Sequence, residues 1–202
     1  LASSAASDVY KRQPDVKMTY HDGTRFIATL TDKQGNPIRD AAIEITINGK
    51  TYTKTTDEKG VVSLGLSLDS GIYTVTVNFK GLLNYTPITR QAKVTIEPTV
   101  KGLDVVKMFR NNTQYYAIFT DSQGNPLKNK DIQFNINGVF YTKTTNDKGI
   151  AMMGINLNPG KYVITAINLV TGEQSGNNIT VKSLIVQNDL TKYYLNASRF
   201  QT

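Results

Sequence analysis

The stretch Ile43–Gly49, with the sequence IEITING, decides the fold together with Tyr52–Thr55, YTKT. Its three isoleucines alternate with glutamate and threonine, the pattern of a β-strand with one buried and one solvent-exposed face. Asn48-Gly49 then supplies two residues that tolerate the positive φ angles of a type I′ turn. The two stretches therefore predict a β-hairpin whose return strand is Tyr52–Thr55.

The same hairpin returns 89 residues further along, as Ile136-Asn137-Gly138 followed by Tyr141–Thr145. At this offset Thr31–Pro37, TDKQGNP, falls on Thr120–Pro126, TDSQGNP. After a two-residue shift, Val94 falls on Val181. Self-similarity over a whole domain at a fixed period indicates duplication. The chain therefore divides into residues 1–14 outside the fold, a first unit at 15–99, a second unit at 100–184 and the truncated start of a third repeat at 185–202.

Each unit shows about seven short alternating segments separated by turns, and no segment has a sustained helical period. Strands at this spacing in a unit of about 90 residues are typical of an all-β, immunoglobulin-like sandwich with antiparallel strands, rather than of a barrel. The alternation predicts six core residues between the two sheets of the units: Ile45, Leu66, Val75, Phe134, Ile155 and Ile164.

Tyr73 and Tyr162 each follow a glycine by two residues, Gly71 and Gly160, at the start of the penultimate strand. A tyrosine corner belongs at this place in immunoglobulin-like sandwiches, with its hydroxyl bonded to nearby backbone. A core aromatic with a solvated tip is the alternative. With the two hairpin turns, these give the predicted structural residues: Tyr73, Tyr162, Asn48, Gly49, Asn137, Gly138, Gly71 and Gly160.

Ser3–Gln13 has no strand or helix period and matches the in-frame translation of a transposase adapter used to make sequencing libraries. We therefore expect residues 1–13 to be foreign to the natural protein and to make no consistent contact with the first unit. A natural disordered leader is the alternative.

Several motifs of the two units resemble the repeats of adhesin-like surface proteins from methanogenic archaea, which are similar to the immunoglobulin-like repeats of bacterial invasin-type adhesins. They are Gly-Asn-Pro, the Asn-Gly hairpin running into YTKTT, and Asn156–Tyr162, NLNPGKY. The resemblance covers nearly all of residues 15–202. It implies an extracellular, cell-anchored stalk of many repeats, with adhesion as its role and with neighbouring repeats and cell-surface or wall carbohydrate or protein as partners.

Composition and charge narrow the function classes. The net charge is +7, but the lysines and arginines are scattered, and no cluster with interleaved aromatics indicates nucleic-acid binding. There is no cysteine for disulfides or thiolate metal sites. No apolar run reaches the roughly 20 residues that cross a bilayer, so we expect no membrane contact by this segment.

Candidate catalytic residues are few. His21 is the only histidine, and the second unit has Arg110 in its place. Asp57–Gly60 lacks the alternating ligands of a calcium loop. A Lys–Asn isopeptide cross-link is not expected, because Lys17 and Glu44 fall on Val106 and Gln133. The sequence predicts no enzyme, no cofactor and no metal. Four sequons mark candidate glycosylation sites: Asn84, Asn111, Asn178 and Asn196.

Two functions from different classes fit these observations. One is a structural stalk of a surface adhesin, and the other is an accessory module of a secreted carbohydrate-active enzyme. A third has one unit binding carbohydrate directly through exposed aromatics, for which Phe140 and Tyr116 are the candidates.

Overall fold

The computed structural model describes residues 9–12, 14–82, 85–185 and 194 of the chain. Within these ranges every regular element is a β-strand. The described residues contain no helix long and apolar enough to cross a membrane. The chain divides into two compact units whose sequence boundary lies between Thr99 and Val100.

The first unit is a sandwich of two sheets. One sheet has the order β1-β3-β6 and the other the order β2-β8-β7-β4-β5. The strands are β1 (Val9–Arg12), β2 (Val16–Thr19), β3 (Arg25–Asp32), β4 (Ala42–Ile47), β5 (Lys50–Thr55), β6 (Val61–Gly65), β7 (Gly71–Phe79) and β8 (Ile88–Glu97).

The second unit has the same strand order. Its sheets are β14-β11-β9 and β10-β16-β15-β12-β13. The strands are β9 (Val100–Gly102), β10 (Val105–Met108), β11 (Gln114–Phe119), β12 (Asp131–Ile136), β13 (Val139–Thr144), β14 (Ile150–Gly154), β15 (Gly160–Ile167) and β16 (Gln174–Lys182). This arrangement confirms the all-β, immunoglobulin-like sandwich predicted from the sequence.

Each unit has eight strands where about seven were predicted, because the first strand is divided between the two sheets. In the second unit β9 pairs antiparallel with β11, whereas β10 pairs parallel with β16. Asp104 lies at the crossover, and its Oδ1 accepts the Asn178 N–H at 2.8 Å. Asp15 accepts the Lys93 N–H in the same way in the first unit, also at 2.8 Å. A side-chain carboxylate thus takes the place of a backbone acceptor where the strand changes sheets.

The expectation that residues 1–13 make no consistent contact with the first unit is wrong at Val9–Arg12. This segment forms β1, which pairs antiparallel with Thr29–Asp32 of β3. The physical reason is the free edge of β3, whose backbone groups need partners. In the second unit β9 occupies the equivalent edge, since Val100 pairs with Phe119 as Lys11 pairs with Leu30.

The two-residue shift predicted for the last strand is also wrong. Tyr73 pairs with Val94 in the first unit, and Tyr162 pairs with Ile179 in the second. Val94 therefore corresponds to Ile179 and not to Val181, and the offset between the units falls from 89 to 85 residues. A connection between the last two strands that is shorter in the second unit explains the difference.

The core of each unit lies between its two sheets, and all six predicted core residues are buried. Alternation places them correctly because successive side chains of a strand point to opposite faces. In the second unit three aromatic rings pack together at the centre: Phe134 meets Tyr115 edge to face at 5.4 Å between ring centroids and Phe119 at 6.1 Å. The predicted third repeat lies outside the described residues, apart from Ile185 and Tyr194.

Candidate functional site

The two Asn-Gly pairs close equivalent hairpins. Asn48 and Gly49 have φ angles of 48° and 72°, and Asn137 and Gly138 have 53° and 78°. Each pair lies between the last residue of one strand and the first residue of the next, as Ile47 pairs with Lys50 in the first unit. These are the backbone angles of a type I′ turn, which asparagine and glycine adopt at the lowest cost.

The two tyrosines after Gly71 and Gly160 bond back to the chain. Tyr73 Oη donates to the Asp69 carbonyl at 2.8 Å, and Tyr162 Oη donates to the Asn158 carbonyl at 2.9 Å. A Cβ on Gly160 would lie 3.2 Å from Tyr162 Oη. A glycine therefore leaves room for the ring to fold back over it, and both tyrosines have the geometry of a corner.

Acidic residues that looked like candidate ligands cap turns instead. Asp57 Oδ1 accepts the N–H groups of Lys59 and Val61 at 2.9 and 2.8 Å. In the second unit Asn146 Oδ1 accepts the two equivalent N–H groups at 2.9 and 3.0 Å. One acceptor oxygen is enough for this role, which explains why aspartate and asparagine exchange here.

Thr56 and Thr145 are buried polar residues that the sequence analysis did not single out. Thr56 Oγ1 donates to the Ile38 carbonyl at 2.8 Å and accepts the Ala41 N–H at 2.9 Å. Thr145 makes the equivalent bonds to Leu127 and Lys130. The sequence feature that could have indicated this role is that the last threonine of YTKTT is present in both units.

The structure does not bring catalytic side chains together around His21. The imidazole is exposed and stacks on Tyr20 at 4.0 Å between ring centroids. Burial acts to raise the pKa of the neighbouring Asp22, but hydrogen bonds from the Thr19 and Thr24 N–H groups outweigh it and lower the pKa. Among the described residues, no group of three or more His, Cys, Asp or Glu could hold a metal ion.

The two residues weighed for an isopeptide cross-link, Lys17 and Glu44, each form an ion pair with a different residue. Lys17 is exposed and forms a 3.5 Å ion pair with Glu97. Glu44 pairs with Lys80 and accepts a hydrogen bond from Asn78. The Lys80 and Asn78 hydrogen bonds, the first being the larger cause, lower the pKa of Glu44.

Lys107 is a buried cation that the sequence analysis missed. It is 4% exposed, and its Nζ donates to three backbone carbonyls: Asn111 at 2.6 Å, Ile155 at 2.7 Å and Thr113 at 3.3 Å. The equivalent residue of the first unit is Met18, also 4% exposed. The signal was a lysine on the inward-facing side of β10, where the first unit has an apolar residue.

Two pockets lie side by side on the second unit and share Gly154, Ile155 and Asn156 in their linings. One, of about 270 Å³, lies beside Tyr141 and Lys143 of β13. The other, of about 240 Å³, lies beside Lys107 and the loop 110–114. We call the two together the edge groove.

The exposed aromatics named from the sequence lie apart. Phe140 is on β13 and 60% exposed, and Tyr116 is on β11 and 48% exposed. These strands belong to different sheets, so the two rings do not form one surface. Tyr141, the neighbour of Phe140, is the aromatic residue that lines the edge groove.

The asparagines of two of the four sequons lie within the described residues. Asn111 lies in the exposed loop between β10 and β11, where its Oδ1 accepts the Thr113 N–H at 2.6 Å. Asn178 lies on β16, and its Nδ2, the atom that would carry a glycan, donates to Asp104 Oδ2 at 3.0 Å. Asn84 and Asn196 lie outside the described residues.

The strand order and the tyrosine corners define the chain as two immunoglobulin-like β-sandwiches. Its sequence is similar to the inverse autotransporter adhesin YeeJ of Escherichia coli (strain K12), with 24% identity over 198 residues. The match covers 93% of this chain and 8% of that adhesin. No protein-family model matches the chain.

Solved structures with partial similarity include a bacterial ice-binding adhesin, with a TM-score of 0.36, 14% identity and coverage of 89% of this chain and 66% of that one. The trypsin-activated alpha-2-macroglobulin of Escherichia coli has a TM-score of 0.48 and 11% identity, covering 86% of this chain and 16% of that one. Because both TM-scores are below 0.5, the fold is assigned from the strand order of each unit.

Proposed function

We propose that the chain is a non-catalytic stalk segment of an extracellular adhesin, which holds a binding region away from the cell surface. Neighbouring repeats of the same chain would be its direct partners. The YeeJ match supports an adhesin, and a match to only 8% of that much longer protein supports a spacer. An archaeal source, which the resemblance to methanogen proteins implies, stays a prediction, since YeeJ is a bacterial protein.

The observation that carries the proposal is what the two units retained. The shared contacts set turns and close loops: Asp57 and Asn146 cap equivalent turns, and Tyr73 and Tyr162 make the corner. Some polar loop residues have diverged, as His21 has from Arg110. A spacer requires its turns and its core but no fixed arrangement of polar side chains. Selection on a spacer therefore keeps the turns and the core.

The connection between the units fits the same role. Only Pro98 and Thr99 separate β8 from β9. Thr99 is buried, and Pro98 has a fixed φ angle. A short linker with a proline has few conformations, so a series of such units would gain length with each repeat.

Surface labelling tests the proposal. Antibodies raised against the purified chain should label intact, unpermeabilised cells that carry its gene. Labelling that requires permeabilisation would contradict an extracellular stalk. Hydrolysis of a polysaccharide, ester or peptide by the purified chain, abolished by one side-chain substitution, would contradict the non-catalytic role.

A further inference from the structure

The edge groove of the second unit has a buried lysine beneath it that forms no ion pair with the described residues. The Lys107 ammonium is buried and its three hydrogen bonds all go to carbonyl groups. Neither the ion pair of Lys17 with Glu97 nor that of Lys80 with Glu44 includes it. Buried charges are usually paired, because an isolated one loses its hydration without gaining a counter-ion. Carbonyl groups take all three N–H donors of Lys107, so it contributes only its charge, which favours an anion over a cation in the groove.

Arg110 adds a second cation at the same pocket, and the turn holds it in place. Its φ angle is 61°, and the Asn111 N–H bonds to the Met108 carbonyl at 3.2 Å. The guanidinium lies over the Phe109 ring, 5.3 Å from the ring centroid. Stacking of this kind restricts the side chain while its N–H groups stay available to a carboxylate.

No carboxylate occurs among the described residues that line the edge groove, and Lys143 adds a third positive charge at the neighbouring pocket. The rest of the polar lining is rich in amides: Asn111, Asn112, Gln114 and Asn156. An amide side chain both donates and accepts hydrogen bonds, which suits the hydroxyl groups of a sugar. Tyr141 offers the flat aromatic surface against which a sugar ring packs its C–H groups.

The first unit provides an internal comparison. At the positions of Lys107, Arg110 and Asn111 it has Met18, His21 and Asp22. The formal charge of these three positions, with His21 neutral, is therefore −1 in the first unit and +2 in the second. The other charged lining positions are Lys143, where the first unit has Lys54, and Gln114, where it has Arg25. With these included, the formal charge of the lining positions is +1 in the first unit and +3 in the second.

We propose that the edge groove of the second unit binds an anionic polysaccharide built from uronic acid residues. Arg110 contacts the sugar carboxylate, the amides contact hydroxyl groups, and Lys107 acts through its charge from below. The proposal goes beyond the stalk function and does not depend on it, since surface labelling and sugar binding are separate measurements.

Calorimetric titration of the full chain, produced in a bacterial host that adds no N-glycan, tests the site with oligogalacturonate of six residues. The matched ligand is the same oligosaccharide with its carboxylates methyl-esterified. We expect binding of the acid and at least tenfold weaker binding of the ester. Binding of the acid should also weaken as salt is raised, because the contacts are partly exposed.

The decisive variant transfers the first unit's residues into the second: Lys107→Met, Arg110→His and Asn111→Asp. It should fold, because Met18 occupies the same buried position in the first unit, and circular dichroism checks this. We expect at least a tenfold loss of affinity. Arg110→Gln alone, which leaves the buried residues unchanged, should also lose affinity.

The matched control removes the same amount of charge elsewhere on the second unit, through Lys128→Gln, Lys130→Gln and Lys148→Gln, all at exposed positions. It should bind as the unchanged chain does. The proposal is overturned if the control loses as much affinity as the transfer variant, or if single-stranded DNA binds as tightly as the sugar. It is equally overturned if oligogalacturonate, oligoguluronate and oligoglucuronate all fail to bind.

Discussion

Tyr115 Oη donates a 2.7 Å hydrogen bond to Asn177 Oδ1 in the second unit, where the first unit has Phe26 and Ala92. The equivalence follows from the strand pairs, since Asn177 pairs with Ile164 as Ala92 pairs with Val75. A Cβ on Gly102 would lie 2.1 Å from Tyr115 Oη, so a glycine is needed beside the bond. The duplication has thus replaced an apolar pair with a polar one.

Tyr115→Phe should destabilise the second unit by about 1–2 kcal/mol, because it leaves the Asn177 oxygen without its donor. Adding Asn177→Ala, which restores the first unit's pair, should recover part of this loss. Chemical denaturation of the two single variants and the double variant measures the coupling. Additive effects in the double variant would show that the hydrogen bond contributes nothing specific.

Tyr115 also predicts how the second unit responds to alkali. Burial, and then the negative charge of Asp104, raise the pKa of Tyr115 to about 12. In the unfolded chain a tyrosine titrates near 10. Because the folded pKa is raised, the stabilisation is fully present below pH 10 and is lost as pH rises from 10 to 12.

Urea denaturation at pH 9 and at pH 11.5 measures this effect. The second unit should lose on the order of 2 kcal/mol more of its unfolding free energy than the same unit carrying Tyr115→Phe. Equal losses in the two proteins would mean that the hydroxyl titrates normally in the folded state.

The glycines of the turns differ in what surrounds them, and this gives a third prediction. Gly149 has a φ angle of 73°, and a Cβ there would lie 2.4 Å from the Phe119 carbonyl oxygen. Gly124 has a φ angle of 83° but no atom within 4 Å of such a Cβ. Gly124→Ala should cost about 1–2 kcal/mol from the backbone angle alone.

Gly149→Ala should cost a further 1–3 kcal/mol or so, because the β11 backbone would have to move. Thermal or chemical denaturation of the two variants measures the difference. If both alanines have the same effect, the close approach of the turn to β11 is not a constraint on the sequence.

Thr145 gives a fourth prediction. Thr145→Val removes the hydroxyl that joins the Leu127 carbonyl to the Lys130 N–H, and it should cost about 1–3 kcal/mol. The neighbouring Thr144→Val is the control, since Thr144 is exposed and its hydroxyl bonds to the exposed Asp131 side chain. Equal stability of the two variants, measured by denaturation, would contradict a structural role for the buried hydroxyl.

Much of this fold could be predicted from the sequence because its signals are local. Alternation places Ile45 and Phe134 in the core, and Asn-Gly selects the hairpin turn, without reference to any distant residue. The glycine two residues before Tyr73 and Tyr162 indicates a corner in the same way. These patterns act within one or two strands.

What the sequence did not show depends on partners distant along the chain. The pairing of Val9–Arg12 with β3 and the division of the first strand follow from a free sheet edge, which no local pattern reveals. The position of the last strand depends on the length of the preceding connection. Lys107 looks like a surface residue until the opposite sheet is in place, so the edge groove could not be predicted.

The central claim is that these units extend a surface protein, and the height of a displayed tag tests it most directly. One, two and four copies of residues 9–185 would be placed between a membrane anchor and a small fluorescent tag on a bacterial or yeast cell. An unstructured Gly/Ser linker with the same number of residues would be the control. Super-resolution imaging would measure the distance of the tag from the membrane. We predict a height that increases by a similar amount with every copy, while the linker grows only with the square root of its length. A height that does not increase with copy number, or that follows the unstructured linker, would contradict the stalk function.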